Sequence, residues 1–481
     1  MDFFKQKTRE IFFWSAIERS SSQGIQLVIS ILIARVLLPS DYGLIAMLSI
    51  FLAVAQTFVE SGFGYALIQK KGRTETDFST VFYFNLAVSI TFYVVLFFLA
   101  PIIADFYNEP KLVLLTRVAF ISLIINSLAI IHGVKLNIEF NFKKITLIST
   151  IAVTVSGFLG LWMAHAGYGV WALVFQSLLN YLLILIIQWL ITRWHPSWVF
   201  SIKSFKELFS FGSRLLFSSL LHTIYNNLYS LVIGKKFSSQ ELGCFNRAST
   251  IAQFPSVNLS SIIIQVIYPM QCNMQDDLKQ LTSNFKKYLS LSCYIVFPIM
   301  IGLSALAEPL ISILLGDKWL PAVPYFQIIC IANMFDPIGK INGSIINAKG
   351  RSDFFLKAEI IKKISALSIL FISIPFGVIG MCYGLILYAL TDIAIIALFT
   401  NKLININLFS QFKILFPAFL ISSIMGFVVY GSTFLVQSSL SKLLLGISLG
   451  IIFYLGISRI FRLEEFDLAL SLIWKNRASK K

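Results

Sequence analysis

Between Asp77 and Asp105 the chain runs for 27 residues without a charged side chain. As an α-helix such a run extends about 40 Å, more than the ~30 Å hydrocarbon core of a bilayer, which about 20 apolar residues cross. Similar runs recur along the whole chain. They are unbroken, whereas barrel strands alternate over about ten residues. Candidate spans fall at roughly 11–37, 42–62, 79–103, 113–135, 146–164, 169–191, 208–232, 243–268, 285–307, 321–347, 354–373, 376–399, 412–434 and 442–460. The longest gap, Arg193 to Glu207, is too short for a separate soluble domain. Only 13% of residues are charged and the mean hydropathy is +0.80, against about a quarter charged in a soluble domain. The expected fold class is an all-α integral membrane protein with about 14 transmembrane helices.

A formal charge of +16 suits a nucleic-acid binder. The basic residues, however, lie in short clusters between apolar runs, the pattern that membrane topology produces, so no nucleic-acid partner is expected. An even number of spans puts both termini on one face. That face carries 28 Lys and Arg, the other carries 6, and 5 fall in or at the ends of spans. The asymmetry places both termini in the cytoplasm. The start, MDFFKQKTREIFFWSA, has a basic flank, a long apolar run and no A-x-A-like cleavage site, and reads as an uncleaved first span. The five cysteines include no CxxC pair and read as buried apolar residues, with no disulfide framework or metal site. There is no G-x-x-x-x-G-K-[ST] phosphate loop, and no cofactor is expected.

The chain repeats itself. Ala34 to Gly43 (ARVLLPSDYG) aligns with Gly234 to Gly243 (GKKFSSQELG), with basic, acidic and glycine positions coinciding. Gly169-Val170 matches Gly377-Val378, each opening the sixth span of its half. Two matches in the same order, at offsets of 200 and 208 residues, favour duplication over chance. Six spans separate equivalent points, so the halves enter the membrane from the same side, as parallel transporter repeats do. The expected organisation is an N-terminal six-helix lobe (1–206), a C-terminal six-helix lobe (207–405), and two additional helices with a basic tail (406–481). Two such lobes leave a cleft that opens alternately to each side.

Ionisable groups inside a bilayer cost about 2.5–3.5 kcal/mol each and usually face a cavity. Four spans carry polar residues at helical spacing. The first has Ser15, Arg19, Ser22 and Gln26, with Glu18 beside them. The seventh has Arg214, Ser218, His222, Tyr225 and Tyr229. The eighth has Arg247, Thr250, Asn258, Ser261 and Gln265. The tenth has Asn333, Asp336, Lys340, Ser344 and Asn347. Arg19, Arg214, Arg247, Lys340 and His222 are the candidates for an anionic head group, and Glu18, Glu60 and Asp336 for ion coupling. Each has a plainer reading. Asp336 and Lys340, at i and i+4, neutralise each other. Glu18, Arg19 and Arg214 snorkel to the nearby interface, and Arg247 anchors at the far one. His222 is a satisfied hydrogen bonder, and Glu60 an interfacial charge. Pro255, Pro298 and Pro337 each remove a backbone donor inside a span. They either kink the second lobe for opening or are repaired by neighbouring helices.

The stretch IARVLLPSDYGLIAM (Ile33 to Met47) resembles the first outer turn of bacterial polysaccharide exporters and lipid-linked oligosaccharide flippases. GFGYALIQKK (Gly62 to Lys71) and the loop FNFKK (Phe140 to Lys144) are similar to the same family, nearest to its colanic-acid and teichuronic-acid exporter branch. With the span layout, the likeness covers nearly the whole chain, although its motifs are structural turns. It implies the MATE-like fold of the multidrug/oligosaccharidyl-lipid/polysaccharide exporter superfamily. It also implies an O-antigen-type substrate, an oligosaccharide on undecaprenyl diphosphate, moved by alternating access through a cationic cleft, with the two extra helices helping to groove the lipid tail. The implied partners are the lipid-linked oligosaccharide, membrane lipids, and a polysaccharide polymerase with its chain-length machinery. The alternatives are a cation-coupled multidrug antiporter, which wants carboxylates in the cleft, and a membrane polymerase or ligase. An enzyme of that kind needs polar loops with acid–base groups, and the outer loops here are short.

Overall fold

The computed structural model describes residues 24–60 and 62–468, without the side chains of Phe211 and Arg214. No strand occurs among the described residues. By contacts the chain divides into two units, at Gly243 and Cys244. The first contains α1 (Gly24–Val36), α2 (Pro39–Glu60), α3 (Phe63–Gln69), α4 (Glu75–Tyr107), α5 (Leu112–Ala119), α6 (Ile121–Ile138), α7 (Phe142–His165), α8 (Val170–Thr192) and α9 (Ile202–Lys236). Helix α10 (Ser239–Asn273) begins in it. The second contains α11 (Leu278–Ala305), α12 (Ala307–Leu315), α13 (Val323–Asn333), α14 (Asp336–Ala348), α15 (Ser352–Ser373), α16 (Gly377–Ile404), α17 (Leu408–Ser432) and α18 (Ser439–Ile460). The packing boundary falls one helix beyond the repeat boundary expected at 206, because α9 lies along α2 and against α3 and α4.

Ten stretches among the described residues are long and apolar enough to cross a membrane. One of them, Ser352–Ile404, is two helices, α15 and α16, folded back on each other at Ile374–Phe376 and at Gly377, where φ is 75°. The other expected spans fall on α1, on the more polar α9, and on α13 and α14, which are too short singly. Lipid-facing surfaces are apolar. Phe98, Phe158, Phe427 and Ile452 are each at least 68% exposed, a placement that water would penalise and hydrocarbon does not.

Local sequence explains where these helices start and stop. Thr74 and Asp77 form a reciprocal capping box on α4. The same carboxylate takes Lys70, whose Nζ lies 3.0 Å from Asp77 Oδ1 and 3.0 Å from Glu207 Oε2. Partial burial works against the charge, but the hydrogen bonds to Asp77 and Glu207 outweigh it and hold the Lys70 ammonium above the usual lysine range. Beside them Glu75 accepts from Lys135 at 2.9 Å and from the Trp194 indole at 2.5 Å. The linker after α8 is thereby fastened onto α4 and α6. Phe63, Phe78, Phe82 and Trp194 pack the core beneath it.

The two turns aligned in the sequence adopt one local geometry. Leu38 N–H donates to Asp41 Oδ2, and Ser238 N–H donates to Glu241 Oε2, each capping the helix that follows. The starts of α2 and α10 also touch. A Cβ on Gly43 would sit 1.7 Å from the Ser239 carbonyl oxygen, and a Cβ on Gly243 would sit 1.8 Å from the Pro39 carbonyl oxygen. Only hydrogen at Cα allows two backbones this close.

In the second unit α11 packs along α17, and α16 is sandwiched by α13, α14 and α15. A reciprocal amide pair, Asn342 with Gln411 (2.9 and 3.1 Å), locks α14 to α17 in the buried core. Four of the five cysteines are buried, Cys272 is half-buried, and all five are free.

Candidate functional site

Glu18 and Arg19 lie outside the described residues, as does the Arg214 side chain, although its backbone continues α9. Arg247 is buried near the start of α10, at 6% exposure. His222 is exposed on α9, and its Nε2 pairs with the Asn226 amide one turn on, at 2.8 Å. Glu60 is exposed at the end of α2. Lys340 and Asp336 form an ion pair at 2.7 Å, each one-third exposed. The polar residues of the eighth span are largely self-satisfied. Thr250, Asn258 and Ser261 each donate to a carbonyl four residues back, the usual resting state of such side chains in helices.

The tenth span does not form one continuous stripe. It breaks at Met334 and Phe335, and α14 restarts at Asp336-Pro337. Pro337 therefore sits in a first turn, where its missing N–H costs nothing, and Asp336 faces the positive end of the new helix. Ser344 is buried on Gln271 (2.7 Å), while Asn347 is exposed. Among the described candidate residues, Asp336 and Lys340 are brought together.

A second charged site inside the described helices was not among the sequence candidates. Lys362 of α15 places Nζ 2.7 Å from Glu359 Oε1 and 2.8 Å from Asp392 Oδ1 of α16. Lys362 is 12% exposed and Asp392 18%. Both stand near the middle of their helices, about 15 Å from the start of α15 and about 22 Å from the start of α16. The second oxygen of Asp392 lies against α14, because a Cβ on Gly339 would meet it at 2.9 Å. Three helices thus converge on one carboxylate, a turn from the Asp336–Lys340 pair. In the sequence, Lys362 falls within the expected span 354–373 but is counted among the 28 basic residues of the face that carries the termini. The available signal was Asp392, the lone charge between Gly377 and Asn401.

Helices α11, α12, α17 and α18 line a half-open cavity of about 420 Å³, with Pro298, Gly302, Leu306, Met425, Gly446 and Tyr454 among its walls. Nearly all of its wall is apolar. Gly446 and Gly450 bring α18 close to Leu306 and Val429. A wall of this kind offers apolar contact and almost no polar partner.

Helices of this length with apolar exteriors and paired interior charges define a multi-pass membrane protein of the all-α class. A family model described as polysaccharide biosynthesis protein matches residues 32–324. The chain belongs to this family. It is 27% identical over 430 residues to the teichuronic acid biosynthesis protein TuaB of Bacillus subtilis (strain 168), covering 87% of each chain. It is 28% identical over 386 residues to the lipopolysaccharide biosynthesis protein WzxC of Escherichia coli (strain K12), covering 78% of this chain and 75% of that one. Its fold is that of the lipid II flippase MurJ in an inward closed conformation, with a TM-score of 0.73 at 16% identity, over 94% of this chain and 98% of the other.

Proposed function

We propose that this protein turns an oligosaccharide on undecaprenyl diphosphate from the cytoplasmic to the outer leaflet of the bacterial cytoplasmic membrane by alternating access. Family membership over residues 32–324, with relatives named for teichuronic acid and lipopolysaccharide biosynthesis, carries this reading. In it, 14 spans are arranged as six, six and two, and both termini are cytoplasmic. A polymerase and its chain-length machinery then use the product.

The physical task is to move sugars and a diphosphate past hydrocarbon while the prenyl tail stays in lipid. Arg19, Arg214, Arg247 and Lys340 replace water around the phosphates. With the cytoplasm negative, outward movement of each negative charge gains about 2.3 kcal/mol per 100 mV. The apolar cavity of α11, α12, α17 and α18 supports a place for the tail. The antiporter reading is weaker, because Asp336 is paired with Lys340, and Glu359 and Asp392 are both held by Lys362. A polymerase or ligase reading is weaker still on the short outer loops.

Deleting the gene should accumulate undecaprenyl-linked oligosaccharide on the cytoplasmic side, measured by extraction and mass analysis. If the intermediates do not change, the function is wrong. Neutralising Arg19, Arg214, Arg247 and Lys340 together should abolish export with the protein still in the membrane. Asp336→Asn should accompany the change at Lys340, so that no carboxylate is left without its partner. Export at the wild-type rate would overturn the cation assignment.

Filling the cavity offers a gentler test. A Cβ on Gly302 meets only Met425 Cε, at an ordinary 3.7 Å. The side chain of Gly302→Leu should therefore project into the cavity without a clash at Cβ, and replacing a glycine in the last turn of α11 favours the helix by less than the ~1 kcal/mol of an interior position. Export should fall while the melting temperature holds or rises. Unchanged export would remove the cavity from the account.

A further inference from the structure

The linker that joins α8 to α9, Arg193 to Ser201, does not loop away from the helices. It lies back along the first turns of α4. The Trp194 indole donates to Glu75, Ser197 N–H donates to Ser79 Oγ at 2.9 Å, and Ser201 N–H donates to Thr80 Oγ1 at 3.1 Å. Trp198 stacks on Tyr83, with ring centroids 5.9 Å apart and planes 27° apart. Helix geometry gives the depth of that contact. The charge-free run of α4 extends from Phe78 to Ala104. Centred on a hydrocarbon core of about 30 Å, its ~40 Å overhangs by about 5 Å at each end. Tyr83 lies five residues after Phe78, about 7 Å into the run. The Trp198 ring therefore sits at the edge of the hydrocarbon. The outward side of the linker suits that depth. Trp198 is 94% exposed, and Val199, Phe200 and Ile202 are exposed beside it. With its other side fastened to α4, the linker keeps these side chains outward. Arg193, Lys203 and Lys206 are also exposed, and no acid occurs between Arg193 and Lys206. The acids at this end of α4 and α9 are taken up elsewhere, Glu75 by Lys135, and Asp77 and Glu207 by Lys70.

We propose that Arg193 to Lys206 is an interfacial anchor that binds anionic phospholipid, with Trp198, Val199, Phe200 and Ile202 among the upper acyl chains and Arg193, Lys203 and Lys206 on the phosphates. A tryptophan suits this depth because its ring is apolar and its N–H can stay wet. Each Lys or Arg at an anionic membrane surface adds about fivefold to the preference for it. A zwitterionic lipid carries an ammonium beside its phosphate and offers these three cations less. A soluble protein is a poorer fit, since it would have to reach side chains at the hydrocarbon edge. The anchor also sets the depth of α9. Ser201, held on Thr80, caps that helix by accepting from Ser204 N–H at 3.2 Å, and α9 carries Arg214 and His222. The proposal rests on the proposed orientation only for the leaflet, which that orientation makes the cytoplasmic one.

Fluorescence of the full-length protein in lipid nanodiscs, which expose both leaflets, tests this. The emission that differs between wild type and Trp198→Phe isolates this ring among the eight tryptophans. That component should be quenched by phosphatidylglycerol brominated in its acyl chains and shielded from acrylamide in the water. At equal mole fractions in mixed nanodiscs, brominated phosphatidylglycerol should quench it more than brominated phosphatidylcholine does. The excess should fall about fivefold for each cation removed in Arg193→Gln, Lys203→Gln and Lys206→Gln. It should not change in Lys357→Gln, which is exposed on α15. Raising the salt should shrink the wild-type excess as well, a measurement that needs no variant to fold. A Trp198 component quenched by acrylamide and not by brominated lipid would put the linker in water, against another kind of partner, and overturn the proposal. Equal quenching by the two brominated lipids at low salt would overturn it too. Nothing is transported in this test. Its failure leaves the flippase reading standing, and a protein that flips no lipid would leave the anchor standing.

Discussion

Gly43→Ala should cost the folded protein about 3 kcal/mol, and Gly243→Ala about the same, each read as a fall in melting temperature in detergent. A methyl group at either position lands within 1.8 Å of a carbonyl oxygen on the facing helix start. Overpacking of side chains typically costs 1–3 kcal/mol. Here the obstacle is backbone on both sides, so no rotamer change relieves it and the upper part of that range applies. The two glycines serve one crossing. The double variant should therefore cost little more than either single one, in contrast to the additivity of distant sites. Full additivity, or a melting temperature unchanged in the singles, would show that the starts of α2 and α10 do not meet as described.

Lys362→Met should be the most damaging single substitution in the second unit. It leaves Glu359 and Asp392 without their shared cation at mid-helix depth. Removing one partner of a buried ion pair costs about 3–5 kcal/mol, a large share of the stability of an ordinary domain. Lys362→Met with both Glu359→Gln and Asp392→Asn removes all three charges and should recover most of the loss. By contrast Arg351→Met, which frees only the exposed Asp353, should shift stability by less than about 1 kcal/mol. If Lys362→Met melted like Arg351→Met, the trio would not be a buried network.

The helical membrane class was legible because bilayer thickness acts on composition directly, and runs such as Phe78 to Ala104 have no soluble use. The turn Ala34–Gly43 and its counterpart Gly234–Gly243 were legible because glycine and the capping acids Asp41 and Glu241 sit at fixed offsets dictated by backbone geometry. Their meeting face to face was not, since sequence gives spacing along one helix and says nothing of its neighbour. The same limit hid the charged network. Lys362 lies nearly three helical turns inside α15, and a charge tally groups it with the basic residues before that helix because hydropathy cannot see Asp392 across the gap. The tenth span shows the reverse error. Asn333, Asp336, Lys340, Ser344 and Asn347 fit one stripe only if the helix is continuous, and the break before Pro337 turns Asn333 out of register. Asp336 and Lys340 keep their spacing because both fall after the break.

Purified protein in sealed liposomes, supplied with an undecaprenyl-diphosphate oligosaccharide, tests the central claim most directly. A membrane-impermeant glycosidase added outside reports which leaflet the sugar occupies. The expected result is that lipid-linked sugar from the inner leaflet becomes accessible to the enzyme with wild-type protein. With the variant neutralised at Arg19, Arg214, Arg247 and Lys340 it should stay protected. Equal protection in protein-containing and protein-free liposomes would contradict the account.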